Sequence, residues 1–293
     1  MSKINLNEKY KNNIDALREW LVKQPHLPQN IEQQNLSKFL ISCNNSVEQA
    51  KRLIDLNFTL RFLSPELFAD RDPQSEELKR ALSIVDYLPL PKLTSKKYKL
   101  FLFRLKDPNP DNFVYADVMK AFFMVADLRI YTDFEETEGE VPIFDMAGYT
   151  LKHLTKINLS ILRKYMAYSQ EAHPIRLREI HVLNVPPFLD KCLTLTKPFL
   201  KSEVSKLIHY HTPNSTTLFD YVSRDLLPED YGGTLEKAEK FASMWRKKVL
   251  DNRDFYLDDS RWKVIESKRP NNSCYIDKTT CGLEGSFRSL NID

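Results

Sequence analysis

The segment HPIRLREIHVLN, residues 173–184, sets two arginines into an alternating apolar run. In an extended backbone Ile175 and Leu177 point one way and Arg176 and Arg178 the other, so both guanidinium groups share a face. A guanidinium is a planar fork matched to phosphate or carboxylate oxygens, so the chemistry such a pair offers is recognition of an anion, a phosphorylated headgroup included. The plainer alternative is a solvated pair, or a salt bridge to Glu171 or Glu179. The apolar segment NVPPFLDKCLTLTKPFL follows at once, and large apolar area beside charge is uncommon on a soluble surface.

Two further constellations have the residue types for chemistry. His209 and His211 are spaced to share a strand face and could ligate a metal. Zinc takes a third and usually a fourth ligand, and none stands out, so the pair reads as structural and no metal is expected. Asp145, His181 and Ser169 include the types of a hydrolase triad, but the chain has no GxSxG elbow to carry a nucleophile. Six glycines in 293 residues leave no glycine-rich phosphate cradle. These signs point away from an enzyme and away from a bound cofactor.

Composition narrows the classes further. The chain is 42% hydrophobic and 28% charged, in the range of soluble globular proteins. Forty-three basic and 40 acidic residues give a net charge of +3, too mild for a nucleic-acid protein, so any basic patch is local. The start, MSKINLNEKYKNN, lacks the apolar core of a secretory signal, and no apolar run reaches the roughly 18 residues that span a bilayer. Cys43, Cys192, Cys274 and Cys281 are scattered, which fits neither a disulfide framework nor a zinc site. A cytoplasmic protein is expected.

Several elements must position these residues. Tyr10, Ile14, Leu17 and Leu21 predict a helix over 8–23, ended by PHLP at 25–28. A second helix carries Leu36, Phe39 and Leu40 and stops at Asn44-Asn45. Ser46 reads as the N-cap of a third, with Ala50, Leu53, Ile54, Phe58 and Phe62 along one face. The chain then changes character: LPLPKLTSKK reads as a connection, and Tyr98–Leu105 as the first strand. Strand and helix patterns alternate from there, with helix at 114–132, strand at 141–146, helix at 154–171, strand at 178–184, helix at 187–204, strand at 206–211 and helix at 235–250. Such alternation predicts an α/β domain with a mainly parallel sheet behind a small N-terminal helical bundle. The tail from Asp251 is polar and is expected to wrap the surface.

Five strings, in this order, resemble the CRAL-TRIO lipid-transfer family: LSKFLISCNNSVEQAKRL, VPIFDMAGYTLKH, HPIRLREIHVLNVPPF, KPFLKSEVSKLIHYH and LLPEDYGGTLE. The nearest likeness is to the tocopherol-transfer and retinaldehyde-binding branch, and the tail strings DDSRWKVIESKRP and GLEGSFRSLNID look like those of arthropod members. The resemblance implies three regions: a helical N-terminal domain over 1–88, a lipid-binding α/β domain over 89–252, and a C-terminal tail over 253–293. It further implies a sheet that floors a closed apolar pocket, under a mobile gate helix that maps to Pro186–Ile208. What it implies of function is a cytoplasmic, monomeric, non-enzymatic carrier of a small hydrophobic ligand of tocopherol, retinoid or carotenoid type. That carrier would visit membranes transiently and peripherally.

Within the gate, Phe188, Cys192, Leu195 and Phe199 form an apolar stripe at helical spacing, Leu189 and its neighbours widen it, and Pro198 interrupts it. Apart from the resemblance this is an ordinary kinked core helix; with it, a lid that faces ligand when closed and bilayer when open. The resemblance also turns Arg176 and Arg178 into a phosphoinositide contact beside the gate, joined by Lys197, Lys201 and Lys206. Glu203 and Leu207 stand where further basic residues would be looked for, which predicts a weaker patch. Expected pocket residues are Phe103, Phe122, Phe123, Ala126, Ile130, Phe144, Tyr149, Leu151, Ile175, Leu177, Ile180 and Leu183, each of which could equally be plain core. Two other readings stand beside this one: phosphatidylinositol or phospholipid transfer, and a lipid-sensing module that acts through a protein partner.

Overall fold

The computed structural model describes residues 10–133 and 135–270. Helices α1 (Lys11–Val22), α2 (Gln33–Ser42) and α3 (Val47–Phe62) form the N-terminal bundle. Each buries one apolar stripe, Ile14, Leu17 and Leu21 against Leu36, Phe39 and Leu40 and against Ala50, Ile54 and Phe58. The Ser46 hydroxyl accepts the Gln49 N–H and starts α3. Phe62 departs from its expected face and is 49% exposed, because the last turn of α3 buries Leu60 and Arg61 instead, where α3 packs on a later helix. Short α4 (Pro65–Phe68) and α5 (Glu76–Ile84) lead into the sheet.

The sheet has five strands in sequential order, β1 (Val85–Leu93), β2 (Tyr98–Leu105), β3 (Gly139–Asp145), β4 (Ile180–Leu183) and β5 (Ile208–Tyr210). Strands β2 to β5 run parallel and β1 pairs antiparallel with β2. Here the structure corrects the sequence reading of LPLPKL as a connection. It is an edge strand that crosses the expected junction at 88/89, with Pro89 opposite Phe101 and a register shift before Leu93. An edge strand tolerates proline because one side of its ladder carries no partner.

Between the strands run α6 (Tyr115–Thr132), α7 (Leu151–Thr155), α8 (Leu159–Glu171), α9 (Leu189–Thr196) and α10 (Ser202–Ser205). The helix expected at 154–171 is broken before Leu159, where the Asn158 side chain accepts the N–H groups of Ser160 and Ile161 and caps α8. Helix α6 is buried nearly all round, since the bundle packs on one side and the sheet on the other. Helices α11 (Ala238–Asp251) and α12 (Arg253–Leu257) follow. Ala238 and Ala242 of α11 cover the back of the sheet with Leu218, Val222, Leu226 and Leu227, packing on Leu88, Leu90, Leu100, Leu102, Val141 and Ile143.

The chain after α12 returns to the bundle. Val264 joins its core, Ile265 donates its N–H to the His26 carbonyl, and Arg269 Nη1 donates to both Asp55 carboxylate oxygens, at 2.8 and 3.0 Å. Residues 271–293, with the remainder of the expected tail and with Cys274 and Cys281, lie outside the described residues.

Candidate functional site

Alternation along the strands divides the sheet into two faces. Val141, Ile143, His181, Leu183 and His209 point to the back; Phe101, Pro142, Phe144, Ile180, Val182, Ile208 and Tyr210 point to the front. The parallel register slips by one residue between Glu140↔Leu177 and Ile143↔His181. That slip lets Leu177 and Ile180, an odd number of residues apart, share the front face.

On the front lies a cavity of about 340 Å³, near the lower end of the roughly 300–1,000 Å³ of small-molecule sites. The sheet floors it. One wall is α6, through Phe122, Ala126 and Arg129, which fall at i, i+4 and i+7. A second is α8 with its following turn, through Leu162, Tyr165, Met166, Ser169, Gln170 and His173. The roof is the segment that runs from Pro186 to Val204 and supplies Leu189, Cys192, Leu193, Thr196, Leu200 and Val204.

That roof is one layer thick. Neither α9, nor the 3-10 turn Lys197–Phe199, nor α10 contains a fully buried residue. The single helix expected at 187–204 is thus three short pieces, and the break falls at Pro198, which cannot donate a backbone hydrogen bond. Of the expected gate stripe, Leu189 and Cys192 face the cavity. Leu195 and Phe199 pack sideways on the main core instead, and Phe188 is the half-buried residue at the start of α9.

Six of the expected pocket residues line the cavity: Phe122, Ala126, Phe144, Ile175, Leu177 and Ile180. The others are elsewhere. Leu183 is on the back of the sheet, since a residue three positions from Ile180 must face the other way. Phe103 lies on the front but packs edge-on to Tyr87, with Phe144 also against it. Phe123, next to Phe122 on α6, turns toward Phe68 and Tyr168. Ile130 lines a small crevice behind Arg129. Tyr149 packs edge-on to Phe113 and His153, and Leu151 is 45% exposed.

The cavity is not wholly apolar. Arg129 and Glu140, only 5% and 9% exposed, form an ion pair in its lining, between Arg129 Nη2 and Glu140 Oε1. His173 lines the same cavity, and its burial pushes the imidazole down to about 4, so the ring is neutral at pH 7. None of these three was singled out as a site residue from the sequence. The signal was present in the helical spacing of Arg129 from Ala126 and in the alternation of Glu140 with Pro142 and Phe144.

The expected basic patch is partly engaged. Arg176 donates through Nε to the Ile41 carbonyl at 2.6 Å and pairs with Glu138 at 3.1 Å. Arg178 donates through Nε to the Glu138 carbonyl at 2.8 Å and lies over the Tyr98 ring. Both guanidinium groups therefore meet at Glu138, not at Glu171 or Glu179. Lys201 pairs with Glu171 at 3.1 Å, while Lys197 and Lys206 are exposed. The Leu207 carbonyl accepts the Ile180 N–H at 2.8 Å, which brings Lys206 to the same edge of the sheet as Arg178.

The remaining constellations separate. Ser169 faces the cavity whereas His181 is behind the sheet, and Asp145 accepts from Asn184 and from the Tyr231 hydroxyl. His181 Nδ1 lies 3.0 Å from His211 Nε2, with the His209 ring stacked on His181 and Thr217 on the far nitrogen of His211. Among the described residues no helix is long and apolar enough to cross a membrane.

Comparison with known proteins agrees with this geometry. Residues 87–233 match the family model described as CRAL/TRIO domain, and residues 6–78 match one described as Pinta-like, UBA domain. A human protein named alpha-tocopherol transfer protein-like is 24% identical over 247 residues, 84% of this chain and 71% of its own length. Human clavesin-2 is 26% identical over 224 residues, 76% of this chain and 67% of its own. The crystal structure of Sfh5 superposes with a TM-score of 0.50 at 15% identity and covers 87% of this chain and 99% of that one.

Proposed function

Since the chain belongs to the CRAL/TRIO domain family of lipid-binding and lipid-transfer proteins, we propose that it is a non-enzymatic carrier that encloses one small hydrophobic molecule in the cavity above its sheet and moves it between membranes. The observation that carries this reading is the pairing of an apolar cavity of about 340 Å³ with a roof whose three helical pieces bury none of their own residues. A roof that is bare on its outer side, held laterally by Leu195, Phe199 and the Gln170 side chain, loses little packing when it lifts, and its inner leucines can then meet a bilayer. The name of one relative, alpha-tocopherol transfer protein-like, favours a ligand of tocopherol type, and the retinoid and carotenoid classes share the same apolar bulk.

Docking follows from charge at the same edge. Arg178 and Lys206, with Arg176, Lys197 and Lys201 around them, would meet an anionic, phosphoinositide-containing surface beside the roof. The setting is cytoplasmic, with peripheral and transient membrane contact by a monomer. Phospholipid transfer is the second reading, and the size of the cavity weighs against a two-tailed ligand. A lipid-gated interaction module is the third.

The test is transfer of a fluorescent tocopherol from donor to acceptor vesicles, with and without 5% phosphatidylinositol bisphosphate in the acceptor. Transfer should rise with protein concentration and rise again with the anionic lipid. A rate no greater than spontaneous exchange at micromolar protein refutes the carrier function; insensitivity to the anionic lipid refutes the docking.

A further inference from the structure

An ion pair inside an apolar cavity is costly unless its remaining hydrogen-bonding capacity is met, because each ion gives up its hydration. In this cavity it is not fully met within the protein. Arg129 Nε, on a side chain only 6% exposed, has no partner, and neither has His173 Nε2. Buried polar atoms of this kind are rare in folded proteins and call for a reason. Arg129 and Glu140 also line the small crevice behind the cavity, with Lys38, Ile41, Asp133 and Arg176, so the pair stands as the partition at one end of the apolar space. His173 lies close enough to feel both charges, since Glu140 and Arg129 are the strongest charges acting on it. The floor and roof elsewhere are mostly apolar, Phe101, Pro142, Ile180, Leu189, Leu193 and Leu200 among them, with Thr196 and Tyr210 the hydroxyl-bearing residues.

We propose that Arg129, Glu140 and His173 form a receptor for one neutral oxygen function, a hydroxyl or a carbonyl, carried at the end of an otherwise apolar ligand. The proposal rests on the cavity being the ligand site. Arg129 Nε–H supplies the donor that either oxygen needs, and the Glu140 carboxylate or the His173 ring nitrogen can accept from a hydroxyl. Net charge selects against acids. The guanidinium is already balanced by Glu140, so a carboxylate or phosphate would bring an uncompensated negative charge into a buried, neutral site. The ligand class is then a neutral lipid alcohol, aldehyde or ketone, whose head sits by Arg129 and whose apolar body runs beneath the roof.

The test uses the full chain and displacement of diphenylhexatriene, a hydrocarbon dye that needs only the apolar space. Competitors are hexadecane, hexadecan-1-ol and hexadecanoate, measured on the wild type, on the double variant R129M/E140M, which removes both charges together, and on H173F. In the wild type the alcohol should compete better than the acid. In R129M/E140M the affinity ratio of alcohol to alkane should fall about tenfold, with dye binding kept. In H173F the ratio should fall severalfold, and this variant decides the matter if the double variant does not fold. Unchanged ratios with dye still bound, or an acid that competes as well as the alcohol, overturn the polar receptor and leave the carrier reading standing. Failure of the wild type to bind dye or alcohol overturns the carrier reading itself.

Discussion

Gln170 ties the roof of the cavity to its wall: its side-chain N–H donates to the Phe199 carbonyl at 2.9 Å, and its side-chain oxygen accepts the Lys201 N–H at 2.9 Å. The two bonds straddle the break between the 3-10 turn and α10, where the backbone has no helical partners of its own. A side chain on α8 thus completes the hydrogen bonding of the point at which the roof would bend.

If this is the latch of a gate, Gln170→Leu should speed exchange of bound dye about tenfold, since each neutral hydrogen bond contributes about 1 kcal/mol. Stopped-flow dilution of dye-loaded protein into vesicles measures it. Equal exchange rates in the two proteins would show that the roof opens elsewhere.

Glu138 holds the two arginines expected to meet the headgroup, through its carboxylate on Arg176 and its carbonyl under Arg178. Glu138→Gln removes the competing charge and should strengthen co-sedimentation with phosphoinositide vesicles, whereas R176E/R178E should weaken it. The effect should shrink in high salt, as screened surface charge requires. No change in either variant would take these arginines out of the docking surface.

Asp127 of α6 is the counterion of two buried guanidinium groups. Arg61 forks onto it at 2.8 and 2.5 Å and Arg71 reaches it at 2.6 Å, with the Trp262 ring against both. Burial alone would raise this carboxyl, and the charges of Arg61 and Arg71 outweigh that and hold it below the ordinary aspartate range. The cluster joins bundle, α/β domain and C-terminal segment. Asp127→Ala would strand two buried cations and should cost about 3–5 kcal/mol in urea denaturation. A loss below about 1 kcal/mol would mean that the arginines find water.

Buried neutral histidines set a pH dependence. Burial lowers His173 to about 4, against the nearby Glu140, and lowers His181 to about 3, helped by His211 and His209. Glu179 lies 3.4 Å from His181 Nε2 and does not reverse this. The unfolded chain takes up these protons near pH 6.5 and the folded one resists, so stability is full above 6.5 and falls as pH drops toward 4. A loss of about 2–4 kcal/mol between pH 7 and pH 5 is expected, with a shallower slope in His173→Phe. A flat profile over that interval would contradict the burial of both rings.

Helix periodicity and strand alternation made most of the architecture readable. The errors have local causes. Pro89 and Pro91 disguised β1, because proline removes the very hydrogen bond by which strands are recognised, and only an edge position permits it. Leu183 was placed with Ile180 although a strand sends them to opposite faces. Phe123 was grouped with Phe122, yet adjacent residues on a helix point about 100° apart. The polar end of the cavity went unread because charged residues ordinarily mark an outer face. Spacing and alternation put Arg129 and Glu140 on inward faces, but it is their meeting in three dimensions, eleven residues along the chain, that accounts for two charges there.

The central claim is that the space between α6, α8, the sheet and the roof holds one small hydrophobic molecule. Native mass spectrometry of the purified full chain, followed by solvent extraction, tests it most directly, with Ala126→Phe as the cavity-filling control. The account predicts one neutral lipid bound per wild-type chain and none in the variant, which should fold normally. A wild-type chain that carries no lipid and takes none up from a lipid mixture, or an Ala126→Phe chain that carries the same lipid equally well, would contradict it.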